Sequence, residues 1–250
     1  MTASPAPERA PLRATLIGAG GLGGPLALSL AAAGIELVIV DPDVVELSNL
    51  HRQLQFTTQD LGQPKATRLA GLVVARGGTA RGVVARWRPE DAAEHTEDAD
   101  LLVDASDDPE TKFAAADWAV ANGRTYVIAS ALRYGGNAMA GAPGAACYRC
   151  LFEEPGEAPT CADAGVLGPV VGAIGGLAAA LAIGLVRGDP RHAGTLVAID
   201  DLRTGAPRFI RLSPRPGCTA CAQAPISPFE APVRVADGAA KGAAGGARHA

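Results

Sequence analysis

The sequence predicts an α/β protein: a mostly parallel sheet with helices on both faces, extended by antiparallel strands toward its C-terminal end. Three observations carry that expectation. Short apolar runs alternate with helix-period segments between Ala14 and Ile128, the pattern of strands joined by crossover helices. A glycine turn, Gly18-Ala19-Gly20-Gly21-Leu22-Gly23, separates the first strand from the first helix. Acidic residues close the second and fourth strands, where open α/β sheets present ligand sites.

The elements follow in order. Residues 1–11, rich in Pro and Ala, read as a flexible arm. The main domain spans residues 12–221. Ala14 to Ile17 is the first strand, a small-residue helix runs from about Leu22 to Ala33, and Leu37 to Val40 is a second strand ending on Asp41. This strand, glycine turn, helix, strand and acid form a Rossmann-like nucleotide unit. Glu46 to Gly62 is polar and irregular, suited to a loop over a nucleotide. Lys65 to Ala75 has helical spacing in Leu69, Leu72 and Val73. Val83 to Ala85 reads as a third strand and Leu101 to Val103 as a fourth, the latter ending in Asp104-Ala105-Ser106-Asp107-Asp108. A helix over Phe113 to Val120 precedes a fifth strand, Tyr126 to Ile128. Asn137–Ala142, Thr195–Ile199 and Arg208–Leu212 are candidates for antiparallel strands. From Ala222 to residue 250, Ala, Gly and Pro dominate, which points to a disordered tail.

The chemistry clusters near the first unit. The glycines of the turn let backbone N–H groups approach a phosphate, and the helix N-terminus adds positive charge. Asp41 can accept hydrogen bonds from ribose hydroxyls. A glycine turn alone serves dinucleotide enzymes equally well, so a nicotinamide-dependent oxidoreductase is one alternative and a non-catalytic nucleotide-binding scaffold is another. The residues downstream favour a triphosphate over a nicotinamide dinucleotide and leave the scaffold open. Asp41-Pro42-Asp43 leads into Asn49, Arg52 and Gln53, with Gln63-Pro64-Lys65 beyond. Arg and Lys just past a ribose acid suit a triphosphate, whose oxygens they neutralise. Asp107 has two readings: an N-cap ahead of Pro109, or a magnesium ligand facing a triphosphate.

The composition sets limits. The 250 residues carry a net charge of −4 with scattered Lys and Arg, which argues against a nucleic-acid partner. No basic segment precedes an apolar run at the start, so no secretory signal is expected. Val166 to Val186 carries no charge, but its Gly, Ala and Pro content favours a buried or subunit-contact helix over a membrane span. Of five cysteines, Cys147 and Cys150 form one CxxC pair and Cys218 and Cys221 another, and four thiolates satisfy tetrahedral Zn2+. Two local disulfides or a redox pair are the alternatives. A redox pair calls for a helix N-terminus, and neither pair precedes a helical pattern, so zinc is preferred. Such a site points to a reducing, cytoplasmic setting.

Taken in order, Gly-x-Gly-Gly-Leu-Gly, Asp-x-Asp, Asn-Leu-x-Arg-Gln and Gln-Pro-Lys resemble the ThiF/MoeB/HesA family, bacterial relatives of ubiquitin-activating enzymes, over about Leu12 to Cys221. The resemblance implies adenylation, with ATP and Mg2+, of the C-terminal glycine of a ubiquitin-like sulfur carrier protein ending in Gly-Gly. The carrier would serve thiamine, molybdenum cofactor or related biosynthesis. It implies roles for Gly18, Gly20, Gly21, Gly23, Asp41, Asp43, Asn49, Arg52, Gln53 and Lys65 around the nucleotide. The family's Asp-x-Thr/Ser-Asp-Asn motif carries the metal role to Asp107, with Asp108 standing where the family has Asn. A structural zinc on the two CxxC pairs and a homodimer are implied too. Thr160-Cys161 lies in the motif where some relatives link covalently to their carrier, which implies a sulfur-transfer or thioester role; in other relatives this Cys is dispensable for adenylation, and an inert lone Cys is the alternative. The family's Arg-rich segment before the first strand, which reaches the neighbouring subunit's ATP, has only Arg9 and Arg13 to match it. No rhodanese-like domain follows Cys221, so a separate sulfur donor protein is expected.

Overall fold

A computed structural model describes residues 11–96, 98–155 and 165–223. The described part is one eight-stranded sheet in the order β3-β2-β1-β4-β5-β6-β7-β8. Its strands are β1 (Arg13–Ile17), β2 (Glu36–Val40), β3 (Ala80–Val83), β4 (Leu101–Asp104), β5 (Thr125–Leu132), β6 (Gly135–Gly141), β7 (Thr195–Ile199) and β8 (Arg208–Arg211). The first five pair in parallel and the last three extend the sheet antiparallel. The helices are α1 (Gly23–Ala32), α2 (Lys65–Ala75), α3 (Ala92–Thr96), α4 (Pro109–Ala121), α5 (Tyr148–Leu151) and α6 (Gly168–Val186).

Each face of the sheet has its own core. Leu16, Leu101 and Val127 point toward α1, α2 and α6, where Leu26, Leu69 and Ile174 meet them. Ile17, Leu102 and Ile128 point the other way, toward Trp87, Phe113 and Tyr148 on the side of α3, α4 and α5. Leu101 to Asp104 is buried at every position, as expected of a central parallel strand covered on both faces. The helices-on-both-faces expectation holds.

Helix α6 is the apolar segment singled out above. Its mean hydropathy is 2.2, and by length and composition it could cross a membrane. Val170, Ile174, Ala178, Leu181 and Leu185 are buried in the core shared with the sheet and α1. A Cβ at Gly175 would stand 2.9 Å from the Leu22 carbonyl. The small residues therefore let α6 pass close to the start of α1, the segment that opens the nucleotide unit.

Two expectations need correction. The third strand is Ala80–Val83, not Val83 to Ala85. Its pairing with Leu37 to Val40 of β2 fixes the register, and a Cβ at Gly82 would press on the Ala66 backbone of α2; tertiary pairing overrides the apolar run that follows. A helix does follow a CxxC pair, since Cys147 is the N-cap of the one-turn α5. The arm and tail, apart from Pro11 and residues 222–223, and the Cys161 segment lie outside the described residues.

Candidate active site

The strand order reverses at β1, with β2 on one side and β4 on the other. Ligands bind at the carboxyl ends of strands beside such a point, and a cavity of about 1020 Å³ opens there. Among its lining residues are Gly18, Gly20, Gly21, Asp41, Asp43, Asn49, Arg52, Gln53, Lys65 and Asp107. Every residue proposed for the nucleotide, apart from Gly23 just behind the loop, meets at one place.

The glycine loop is held from several sides. Gly18 adopts φ +92°, and a Cβ there would lie 2.9 Å from the Ala105 and Ser106 backbone. A Cβ at Gly23 would collide with the Gly18 carbonyl, so Gly23 closes the loop and does not face the cavity. Asp41, 5% exposed, accepts from the Ala19 N–H at 2.7 Å and the Asp43 N–H at 2.8 Å. Burial pushes its carboxyl up, while those two N–H groups and nearby Lys65 oppose the rise. Gln55 Nε2 donates to the carbonyls of Ala19 and Gly20 at 3.0 and 2.9 Å. Sequence reasoning missed Gln55, two residues past the Gln53 it named; nothing in the local pattern separates the two. With the loop so braced, the N–H groups of Gly20, Gly21 and Leu22 have no partner among the described residues.

The cations stand opposite. Lys65 begins α2, is 7% exposed at its side chain, and pairs with Asp43 at 3.0 Å. Arg52 donates to Asn49 Oδ1 at 2.6 Å, which aims the guanidinium from the short 3₁₀ turn Leu47–Asn49. Gln53 is 3% exposed, and its Oε1 is buried with no partner. Asn137 of β6 also lines the cavity with an unpartnered Oδ1. Such orphaned acceptors are costly and fit a polar ligand that donates hydrogen bonds. A triphosphate fits the cationic and N–H-rich end; the donor set is right for it.

The β4–α4 turn removes one of the two readings of Asp107, the helix cap. The helix cap is Asp108, which accepts from Glu110 N–H at 3.3 Å and from the Thr111 hydroxyl at 2.6 Å. Arg86 approaches it at 3.5 Å. Asp107 is exposed to the cavity with no side-chain partner among the described residues. A carboxylate left unpaired beside a phosphate-binding loop fits a hard cation. Asp104, grouped with these acids at the sequence level, is fully buried and paired with Lys112 at 2.7 Å, so it faces no ligand. Arg13 opens β1 at the amino end of the strands, opposite the cavity, within reach of Glu36 and Asp98. It is not in this subunit's cavity.

The four paired cysteines converge elsewhere, beside the second core. Their Sγ atoms lie within 4.8 Å of one another, with separations of 3.7, 3.6 and 3.5 Å for Cys147–Cys150, Cys147–Cys218 and Cys150–Cys221. Tetrahedral bonds of ~2.3 Å place sulfurs ~3.8 Å apart, so the cluster fits one metal ion and not two local disulfides. Burial raises the Cys147 thiol, and burial with its Cys150 contact takes Cys221 to about 11. Burial also acts on Cys218, but the Cys221 and Ala220 N–H groups outweigh it and bring it down to about 6.

Comparison with known proteins agrees with this geometry. The ThiF family model matches residues 10–220. The chain is 37% identical over 225 residues to the sulfur carrier protein adenylyltransferase of Thermus thermophilus, covering 84% of this chain and 82% of that protein. It is 39% identical over 225 residues to the adenylyltransferase and sulfurtransferase uba4 of Aspergillus niger, with 82% of this chain aligned. It spans only 47% of that relative's length. Among solved structures, Escherichia coli MccB superimposes with a TM-score of 0.73 over 84% of this chain and 67% of MccB, at 21% identity, which shows a shared fold. The motifs, the site they build and the family match over nearly the whole sheet agree: the chain belongs to the ThiF family.

Proposed function

We propose that this protein is an adenylyltransferase that activates the C-terminal glycine carboxylate of a ubiquitin-like sulfur carrier protein with ATP, releasing pyrophosphate. The observation that carries the reading is the convergence of Arg52, Lys65 and Asp107 on one cavity from three separate elements. The named activity of the Thermus relative supports it. The carrier would act in sulfur transfer for thiamine, molybdenum cofactor or related biosynthesis, supplied by a separate sulfur donor protein.

The chain's own residues do most of the work by positioning and charge. The unpartnered N–H groups of the glycine loop cradle phosphate oxygens, and Asp41 orients the ribose. Arg52 and Lys65 neutralise the charge that builds on the departing pyrophosphate, while Asn49 and Asp43 keep both cations aimed. Asp107 would hold Mg2+, whose contribution is to draw charge from the phosphate oxygens. The cavity continues past β4 toward Asn137, Ala198 and Ile199; this end receives the glycine tail. The carboxylate attacks the α-phosphorus, forming an acyl-adenylate.

Zn2+ on Cys147, Cys150, Cys218 and Cys221 has a structural role, staple-like, between the β6–α5 connection and the segment after β8. Unoxidised thiolates of this kind fit a cytoplasmic protein. Cys161 is the residue for a covalent link to the carrier. A two-fold dimer would form through the exposed line of Gly172, Gly176 and Ala180 on α6, with Leu47 and Leu54, 67% and 80% exposed, on the adjoining loop.

Pyrophosphate exchange into labelled ATP, with carriers ending in Gly-Gly, tests the reading. Exchange that needs both carrier and Mg2+ is the expected result. ATP binding without exchange would make the protein a scaffold, and heat protection by NAD but not ATP would make it an oxidoreductase.

A further inference from the structure

Lys112 belongs to no motif in the sequence, yet it is among the most committed side chains in the protein. It rises from the second turn of α4 and is 7% exposed at its side chain. Its ammonium donates three short bonds: to Asp104 Oδ2 at 2.7 Å, the Ser106 carbonyl at 2.6 Å and the Ala129 carbonyl at 2.7 Å. An ammonium has three protons. All three are spent on protein acceptors, so Lys112, although it borders the cavity, has none for a phosphate.

Two of those acceptors, Asp104 and Ser106, belong to the β4–α4 turn. Ala105 N–H bonds to the Ile17 carbonyl of β1 at 2.8 Å, fixing the start of the turn. Ser106 is fixed by its hydroxyl on Asp104 Oδ1 at 2.7 Å and by its carbonyl on Lys112. Asp108 is fixed by capping α4. Only the Asp107 side chain is left over, aimed at the cavity by neighbours that are all tied down. The third bond, to Ala129, joins this turn to β5 just before Ser130, which lines the cavity beyond β4.

We infer that Lys112 is a positioning residue: it locks the turn that presents Asp107 and sets its distance from β5, so that Asp107 meets a divalent cation on the nucleotide at a fixed point. The inference rests on the proposed nucleotide reading for the identity of the ligand. Groups that orient a metal ligand typically govern about 10- to 100-fold of metal affinity.

The test must remove the bonds without leaving a buried charge. Lys112→Met alone would strand the Asp104 carboxylate, so the variant of choice is the pair Asp104→Asn with Lys112→Met, in the full chain. The Asn keeps an acceptor for Ser106. Calorimetry measures ATP binding with and without Mg2+ in the absence of any carrier, and urea unfolding and zinc content report the fold. The expected result is a folded, zinc-loaded variant with unchanged Mg2+-free ATP binding, whose gain in affinity on adding Mg2+ falls about 10- to 100-fold. Adding Asp107→Ala to that pair should cost little more. Should the pair unfold, Asp104→Asn with Lys112→Gln, which keeps two donors and leaves no buried charge, serves the same measurement with a smaller loss. A folded variant that keeps the full Mg2+ gain overturns the inference and leaves the adenylation reading standing. Wild-type protein that binds no ATP under either condition overturns both.

Discussion

Gly18 and Gly20 sit two residues apart in one motif, yet the structure gives them different work, and substitution with Ala should separate the two. At Gly18 the backbone is left-handed, φ +92°, which costs an L-residue about 1–2 kcal/mol. The new Cβ would also stand 2.9 Å from the Ala105 and Ser106 backbone, and Ala105 cannot retreat without breaking its 2.8 Å bond to Ile17. A total of about 2–5 kcal/mol follows, a large part of the ~5–15 kcal/mol that holds a typical domain together. At Gly20 the backbone is not left-handed. The nearest atom to an added Cβ is Gln53 Nε2 at 3.6 Å, an ordinary contact. Gly20→Ala should therefore leave the fold unchanged or tighten it by about 0.4–1 kcal/mol through the unfolded chain. Its cost falls on the ligand, because the methyl occupies the approach to the unpartnered N–H groups of the loop. Losing one charge-assisted bond there is worth about 1.5–3 kcal/mol, or roughly 10- to 150-fold in ATP affinity. Urea unfolding and calorimetric ATP titration read the two effects separately. Gly20→Ala that binds ATP like wild type, or Gly18→Ala as stable as wild type, would refute this division of labour.

Asp107→Asn should leave stability within about 0.5 kcal/mol, since the side chain makes no protein bond, while carrier-dependent pyrophosphate exchange drops at least about 100-fold; intact exchange would remove Asp107 from the mechanism. Cys218→Ser takes away the thiolate held at about 6, so the purified protein should lose stoichiometric zinc by metal analysis and unfold at a clearly lower temperature. Asp60 has its carboxyl held below its ordinary 3.8, chiefly by the Thr57 N–H and then by the Thr57 hydroxyl and Arg68. A depressed acid contributes stability that is complete above 3.8 and is lost as pH falls through its folded value. Asp60→Asn should therefore flatten the acid limb of a urea-midpoint-against-pH curve, with a cost of about 1–3 kcal/mol confined to neutral pH. Arg13 is half exposed, with Glu36 at 3.2 Å and Asp98 at 3.6 Å; Arg13→Ala should shift stability by less than about 1 kcal/mol and leave exchange intact. A tenfold loss of exchange would mean that the amino end of the strands reaches a neighbouring subunit's site.

How much of this was legible beforehand depends on whether a residue's role is local. The first nucleotide unit was readable because its signals lie within a few residues of their effect. The glycine turn, the acid at the end of β2, and the helix over Lys65 to Ala75 all fall where the letters put them. The antiparallel extension was readable too, since Thr195–Ile199 carries its own apolar run. Roles set by distant partners were not. Asp107 and Asp108 are adjacent acids ahead of a proline, and only the fold shows that the second caps α4 while the first stays unpaired. Gln53 and Gln55 look alike, but one buries an unpartnered acceptor beside the cavity and the other braces the glycine loop. Lys112 offered no signal, because its three acceptors come from two strands and a turn. The same logic explains the cysteines: one CxxC pair does precede a helical turn, the feature taken to disfavour a metal, yet the second pair arrives from beyond β8 and completes the cluster. Motifs in this chain therefore locate the reacting atoms, whereas the bonds that hold those atoms in register run between segments that no single motif contains.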